Sequence, residues 1–232
     1  MLKEQILNVS VIIPAFNEEE SIALVLNDIP KNDVSEVVVV NNNSTDATAK
    51  IASEHFAVVL FEEQKGYGAA CLKGLEYLSK KELNPEVVVF MDADYSDHPE
   101  QLSRLLEKIE GGYDMVIGSR SIGRREKGSM LPQQRFGNWL ATILIKWFYK
   151  YQYSDLGPFR AITWEALQTI KMQDRDFGWT VEMQIKALKA NLKICEVPVD
   201  YRTRIGVSKI TGTVKGTIMA GYKIIYTIFK YR

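Results

Sequence analysis

Two aspartates, Asp92 and Asp94, stand two positions apart at the end of an apolar run, V-V-V-F-M-D-A-D-Y-S-D-H-P over residues 87–99. In an extended chain, side chains two apart project to the same side, so both carboxylates would share one face of a strand tip. With no Lys or Arg beside them in the sequence they repel each other, and a hard divalent cation relieves that repulsion by taking oxygen ligands from both. A cation held there would in turn hold phosphates. The competing reading makes the pair a turn before a helix that opens at Pro99-Glu100, with proline at its first position and acid in its first turn. An isolated D-x-D does not decide between the two, so the decision passes to the elements that position it.

The run over 87–91 is uncharged and rich in β-branched residues, as expected of a strand buried on both faces in a parallel sheet. Similar runs occur at 9–14 (V-S-V-I-I-P), 37–40, 57–61 and 114–118. Between them lie helical patterns: Ile22, Val25, Leu26 and Ile29; residues 47–54; residues 69–78; and residues 99–109. Alternating strands and helices predict an α/β fold, a doubly wound and largely parallel sheet with right-handed crossovers. Ligands of such sheets bind beyond the carboxyl ends of the strands. Residues 14–18, 41–46, 92–97 and 119–120 all follow strand ends, so they should meet in one crevice. The first turn, P-A-F-N-E, has no G-x-G-x-x-G, and no Gly-Lys-Ser/Thr phosphate loop is present. K-G-Y-G at 65–68 could let a backbone approach a ligand or could end a loop.

Composition sets the bounds. A chain of 232 residues, 46% hydrophobic and 25% charged, can bury the core of one large domain. Lys plus Arg and Asp plus Glu number 29 each, which argues against nucleic acid as a partner. The basic residues gather late: no acid follows Asp200, while Arg202, Arg204, Lys209, Lys215, Lys223, Lys230 and Arg232 do. Cys71 and Cys195 lack a paired-cysteine or metal spacing and read as reduced, cytosolic thiols. No leader-like hydrophobic run opens the sequence and no apolar segment reaches spanning length, so any membrane contact is expected to be peripheral.

The second half reads differently. A polar, glycine-bearing loop over 123–128 precedes a helix over 132–151 carrying Leu140, Ile143, Leu144, Trp147, Phe148 and Tyr151, with Arg135, Lys146 and Lys150. Aromatic and basic residues without acids suit a helix at a lipid headgroup interface, and equally a core helix with solvated lysines. A strand at 159–163, a short helix at 164–170, a helix at 178–190 with Glu182, and a strand at 192–197 follow. The basic loop Y-R-T-R-I-G-V-S-K-I then leads to an amphipathic helix over 214–231 with Ile218, Tyr222, Ile225 and Phe229. This divides the chain into a domain over 1–212 and a C-terminal basic amphipathic helix over 213–232.

The motifs V-S-V-I-I-P-A-F-N-E, V-V-V-V-N-N-N-S-T-D, F-M-D-A-D, V-I-G-S-R, D-L-G-P-F-R and R-I-G-V-S-K, in that order, resemble the family 2 glycosyltransferases of GT-A fold. Within them the chain is similar to the dolichyl-phosphate mannose synthase and polyprenyl-phosphate glycosyltransferase branch, over residues 9–209. The resemblance implies a nucleotide-sugar donor, a divalent metal (Mg2+ or Mn2+) and inversion at the anomeric carbon. It assigns Pro14, Phe16, Glu18, Val40, Asn42, Asp92 and Ala93 to donor binding, and Asp92 and Asp94 to metal, with Ser96 at the position of a further ligand. Asn42 stands where the family commonly has an aspartate at the base, and an amide both donates and accepts. Arg120, Arg204 and Lys209 match residues holding phosphates, and Arg135 one that meets a lipid phosphate. Glu182 matches the base of relatives with hydroxyl acceptors.

The expected activity is transfer of a hexose from a UDP- or GDP-sugar to a polyprenyl phosphate by a cytoplasmic protein peripheral to the cytosolic membrane face, with homo-oligomerisation open. Asp94, Arg120, Glu182, Arg204 and Lys209 form the expected catalytic set. The alternatives are a transferase with a soluble or glycan acceptor, a nucleotidyltransferase, and a noncatalytic subunit that binds nucleotide sugars.

Overall fold

The computed structural model describes residues 7–207 and 214–232. Seven strands form one sheet: β1 (Val9–Ala15), β2 (Glu36–Asn41), β3 (Val58–Phe61), β4 (Val87–Phe90), β5 (Met115–Ser119), β6 (Arg160–Thr163) and β7 (Ile194–Pro198), in the order β3-β2-β1-β4-β6-β5-β7. The α/β reading holds, and the sheet is mostly parallel: β1 pairs with β2 and β4, β2 with β3, and β5 with β7, all in the same direction. One strand departs from the expected pattern. β6 enters between β4 and β5 and runs antiparallel to both, with Arg160 opposite Phe90 and Ile117. Its reversal carries its leading residues, 155–160, to the edge where the parallel strands end.

Helices cover both faces, which is why the central strands lack polar alternation. On one face α1 (Ile22–Asp28), α2 (Thr48–Glu54) and α4 (Leu102–Glu110) deliver Ile22, Val25, Ala52, Leu102 and Leu105 against Val11, Ile13, Val89 and Met91. Leu102, Leu105, Leu106 and Ile109 recur at helical spacing, so α4 has one buried side. On the other face lie α3 (Tyr67–Ser79), α5 (Pro132–Tyr149), α6 (Trp164–Ile170) and α7 (Trp179–Lys189), with Trp179 edge-on to Phe90 at 5.7 Å.

The last helix, α8 (Val214–Lys230), packs on α5 and α7. α5 is buried along one side: Ala141 and Ile145 are buried and Leu144 and Phe148 pack inward. Phe136, Trp139, Ile143 and Trp147 are instead exposed, at 61%, 55%, 42% and 67%. On α8, Ile218, Met219, Tyr222, Tyr226 and Phe229 are likewise exposed. Among the described residues no helix is long and apolar enough to cross a membrane.

Candidate active site

A cavity of about 290 Å³ opens at the carboxyl ends of β1, β2 and β4, lined by Pro14, Phe16, Glu18, Asn42, Lys65, Tyr67, Asp92, Ala93, Asp94, Asp176, Phe177 and Arg204. The loops after β1, β2 and β4 converge on it, whereas residues 119–120 after β5 do not line it. The acidic tip is its charged centre. Ser96 donates through both its amide (2.9 Å) and its hydroxyl (2.5 Å) to Asp94 Oδ1, and Arg204 Nη1 lies 3.1 Å from Asp94 Oδ2. Arg204 Nη2 donates to Glu18 Oε1 at 2.8 Å, so one guanidinium bridges β1's loop and β4's tip. The chain after β7 runs alongside the acidic loop: Arg202 and Ile205 amides donate to the Ser96 and Asp94 carbonyls, and the Arg202 guanidinium covers the Tyr95 ring at 3.3 Å.

Asp92 makes no ion-pair contact among the described residues, although the charges of Arg120 and Arg204 favour its ionised form. Its buried Oδ1 has no hydrogen-bond partner, nor has Oδ1 of the neighbouring buried Asp97. Burial first, and then the charge of Asp94, push the Asp92 carboxyl up to about 7. Asp97 is likewise raised, by burial and then by Asp92 and Asp94. Orphaned carboxylate oxygens crowded enough to resist ionisation are what a divalent cation would satisfy. Among the described residues no three acidic, His or Cys side chains form a ready metal cage. The Asp92 and Asp94 carboxylates fit part of the oxygen shell of a divalent cation, whose remaining ligands would be substrate phosphate and water.

Several expected site residues serve other ends. The Ser96 hydroxyl donates to Asp94 and so orients that carboxylate. Val40 is fully buried inside β2, in the core beneath the cavity. Arg120 does not line the cavity: its amide, Nε and Nη2 all donate to Asp155 at 2.7–2.8 Å, and it lies 5.0 Å from the Tyr201 ring centre. Asp155 is fully buried, so this is an interior ion pair that ties β5's end to the segment leading into β6.

Glu182, on α7, is also fully buried and away from the cavity. It accepts from the Gln173 and Asp174 amides, from Tyr231 Oη at 2.6 Å, and from Lys186 at 2.7 Å. Burial opposes its ionisation, but these donors outweigh burial and hold its pKa below the usual glutamate value, unlike a poised base. Arg135 is exposed near the start of α5, and Lys209 lies outside the described residues.

Asn42 is committed too. Its Nδ2 donates to the Glu62 and Gln64 carbonyls and its Oδ1 accepts from the Gly66 amide at 2.8 Å, which anchors loop 62–66. The K-G-Y-G segment resolves with it. A Cβ on Gly66 or Gly68 would lie 2.1 Å from a carbonyl oxygen of Arg175 or Asp174, so glycine is required by close packing, and Gly66 also has φ +149. The Gly68 and Ala69 amides donate to the Asp176 and Arg175 carbonyls, so the start of α3 caps a loop instead of cradling phosphate.

Four lining residues lie outside the expected site set: Lys65, which lies 4.9 Å from the Phe16 ring centre, Tyr67, Asp176 and Phe177. Of these only Lys65 and Tyr67 carried a signal, through the glycines beside them.

The model of glycosyl transferase family 2 matches residues 10–176. An uncharacterized glycosyltransferase of Mycobacterium tuberculosis is 33% identical over 220 residues, 91% of this chain and 94% of that protein. The undecaprenyl-phosphate mannosyltransferase of Micrococcus luteus is 30% identical over 225 residues, 90% of each chain. The polyprenol monophosphomannose synthase of Mycolicibacterium smegmatis is 30% identical over 223 residues, 88% of this chain and 81% of that one. Glucosyl-3-phosphoglycerate synthase of M. tuberculosis, solved with Mn2+, UDP-glucose and phosphoglyceric acid, superposes with a TM-score of 0.76 at 20% identity, over 97% of this chain and 79% of that one. The last likeness establishes the GT-A fold. With a family model spanning most of the sheet and relatives aligned almost end to end, this chain belongs to glycosyl transferase family 2 and is a glycosyltransferase.

Proposed function

We propose that the protein transfers a hexose, with inversion, from a nucleoside-diphosphate sugar to a polyprenyl phosphate, in a metal-dependent reaction at the cytosolic face of a membrane. The observation that carries the reading is the pair of orphaned carboxylate oxygens on Asp92 and Asp97, beside an Arg204 that already bridges Asp94 and Glu18. Phe16 and Lys65 would take the base and ribose, with Pro14, Ala93 and loop 62–66 as walls and Glu18 accepting from a hydroxyl. Asp92 and Asp94 would hold Mg2+ or Mn2+, which supplies charge neutralisation for the departing diphosphate. Arg204, together with Lys209, would turn to the phosphates once the donor enters, and a preorganised cation there acts on charge that grows in the transition state.

A phosphate monoester acceptor is largely ionised at neutral pH, with its second pKa near about 6. It therefore needs positioning and charge compensation and no base. This agrees with Glu182 being locked among its own donors. The exposed stripe Phe136, Trp139, Ile143 and Trp147, next to the exposed aromatics of α8, supports lipid contact, with Arg135 at the stripe's start for the lipid phosphate. The names of the Micrococcus and Mycolicibacterium relatives make mannose the first hexose to try and support the lipid acceptor.

The test incubates purified protein with radiolabelled UDP- and GDP-hexoses, polyprenyl phosphate in vesicles and Mn2+, and follows label into the lipid phase. Label should enter it only with metal present, and Asp94→Asn should cut the rate by at least about 100-fold, the scale of losing one charge-stabilising group. Transfer to a water-soluble acceptor alone, or full turnover by Asp94→Asn under chelation, would refute the proposal.

A further inference from the structure

Asp176 and Phe177 form one wall of the cavity, and residues beyond the matched family region hold that wall in place. The hinge of the wall is Asp174, whose Oδ1 accepts from the Asp176 and Gly178 amides at 2.8 and 3.1 Å. Two ties reach it, one from α8 and one from Tyr231, the residue that follows α8. Lys223 Nζ lies 3.1 Å from Asp174 Oδ2. Tyr231 Oη donates to Glu182 at 2.6 Å, and Glu182 in turn accepts from the Asp174 amide at 2.6 Å and from the Gln173 amide. α8 is well seated where these ties leave it: Thr227 and Ile228 are buried, and Tyr149 Oη donates to the Ile228 carbonyl. Gly178 sits so close to Thr227 that a Cβ would fall 2.6 Å from its Oγ1. On its far side the wall braces the start of α3 and, through Arg175 to Gln64 at 2.9 Å, the loop that Asn42 anchors.

We propose that the C-terminal helix supplies positioning residues for the donor site: Tyr231 acting through Glu182, and Lys223 acting through Asp174, fix the 174–177 wall against which the nucleotide lies. This rests on reading the cavity as the nucleotide site. One helix then has two duties, since it also carries the exposed Tyr222 and Phe229.

The test uses the full chain with Tyr231→Phe, Lys223→Met and Lys223→Arg. Titration calorimetry with UDP and with GDP, each with Mn2+, is paired with steady-state kinetics and amide hydrogen exchange. Tyr231→Phe and Lys223→Met should each raise the nucleotide Kd and the donor KM about tenfold, the factor that about 1.4 kcal/mol yields. The kcat at saturating donor should stay within about twofold, and Lys223→Arg should restore affinity. Exchange should quicken at the Gln173 and Asp174 amides but not in β4, which separates a loosened wall from a weakened fold. Wild-type nucleotide affinity in both variants, or a fall in kcat at unchanged KM, would overturn the positioning role alone. Failure of the wild type to bind either nucleotide would overturn the donor-site reading and this proposal with it.

Discussion

Removing the buried partner of Arg120 tests whether that arginine serves the fold or the substrate. Asp155→Asn leaves the guanidinium in place but takes away the charge that receives three hydrogen bonds at 2.7–2.8 Å in a fully buried setting. Breaking a buried pair from one side costs roughly 3–5 kcal/mol, because an uncompensated charge remains inside. For a chain of this size each kcal/mol lowers Tm by about 2–4 °C, so a fall of about 6–20 °C is expected. The effect also has a pH signature. Burial opposes ionisation of Asp155, but the Arg120 charge and its hydrogen bonds outweigh burial and hold the carboxyl below its usual value. A depressed folded-state pKa stabilises fully above the unfolded value of about 3.9, and that share is lost as pH falls through the folded value. The gap between wild type and Asp155→Asn should thus be constant from about pH 5 to 8 and shrink below about pH 4. Urea unfolding followed by circular dichroism at a series of pH values measures it. A gap under about 1 kcal/mol at pH 7, or an Arg120→Ala variant that loses turnover at an unchanged urea midpoint, would return Arg120 to the role of a phosphate ligand.

Three further outcomes follow from the site. Glu182→Gln should raise donor KM while lowering kcat less than about tenfold, whereas loss of a general base costs about 100-fold or more, so saturating-donor kinetics discriminate. Gly66→Ala, which forces a Cβ onto the Arg175 carbonyl at a positive φ, should cost about 1–3 kcal/mol in thermal unfolding and weaken nucleotide binding measured by calorimetry. Trp139→Ser with Trp147→Ser removes two exposed indoles worth up to about 2 kcal/mol each on burial in lipid. Sedimentation with anionic vesicles should fall at least tenfold in partition coefficient while the Tm is unchanged.

Much of the sheet was legible because strands under helices are predominantly apolar, and the five runs before residue 120 are, with Ser10 and Asp114 the polar exceptions. The crevice followed from topology, since parallel strands all end at one edge. The place of β6 was not legible: its four residues read as a strand, but its direction and neighbours depend on pairing with β4 and β5, which no local pattern encodes. The same limit explains Arg120 and Glu182. Each was given a role toward substrate because it matches a motif position of the family, and its buried partner, Asp155 or Tyr231, lies 35 or 49 positions away. Asn42 was noticed for departing from a family pattern, yet its three bonds to loop 62–66 required the folded loop to be seen.

The reversed strand β6 also sets how the two halves of the catalytic edge are joined. The half bearing the acidic tip and the half bearing the basic segment after β7 share a single four-residue antiparallel seam, Val87–Phe90 against Arg160–Thr163. Chain inserted between residues 120 and 155 would enlarge the part of the molecule that holds α5 without shifting that seam. A fold built this way can vary one side of the seam while leaving the acidic tip on the other side in place.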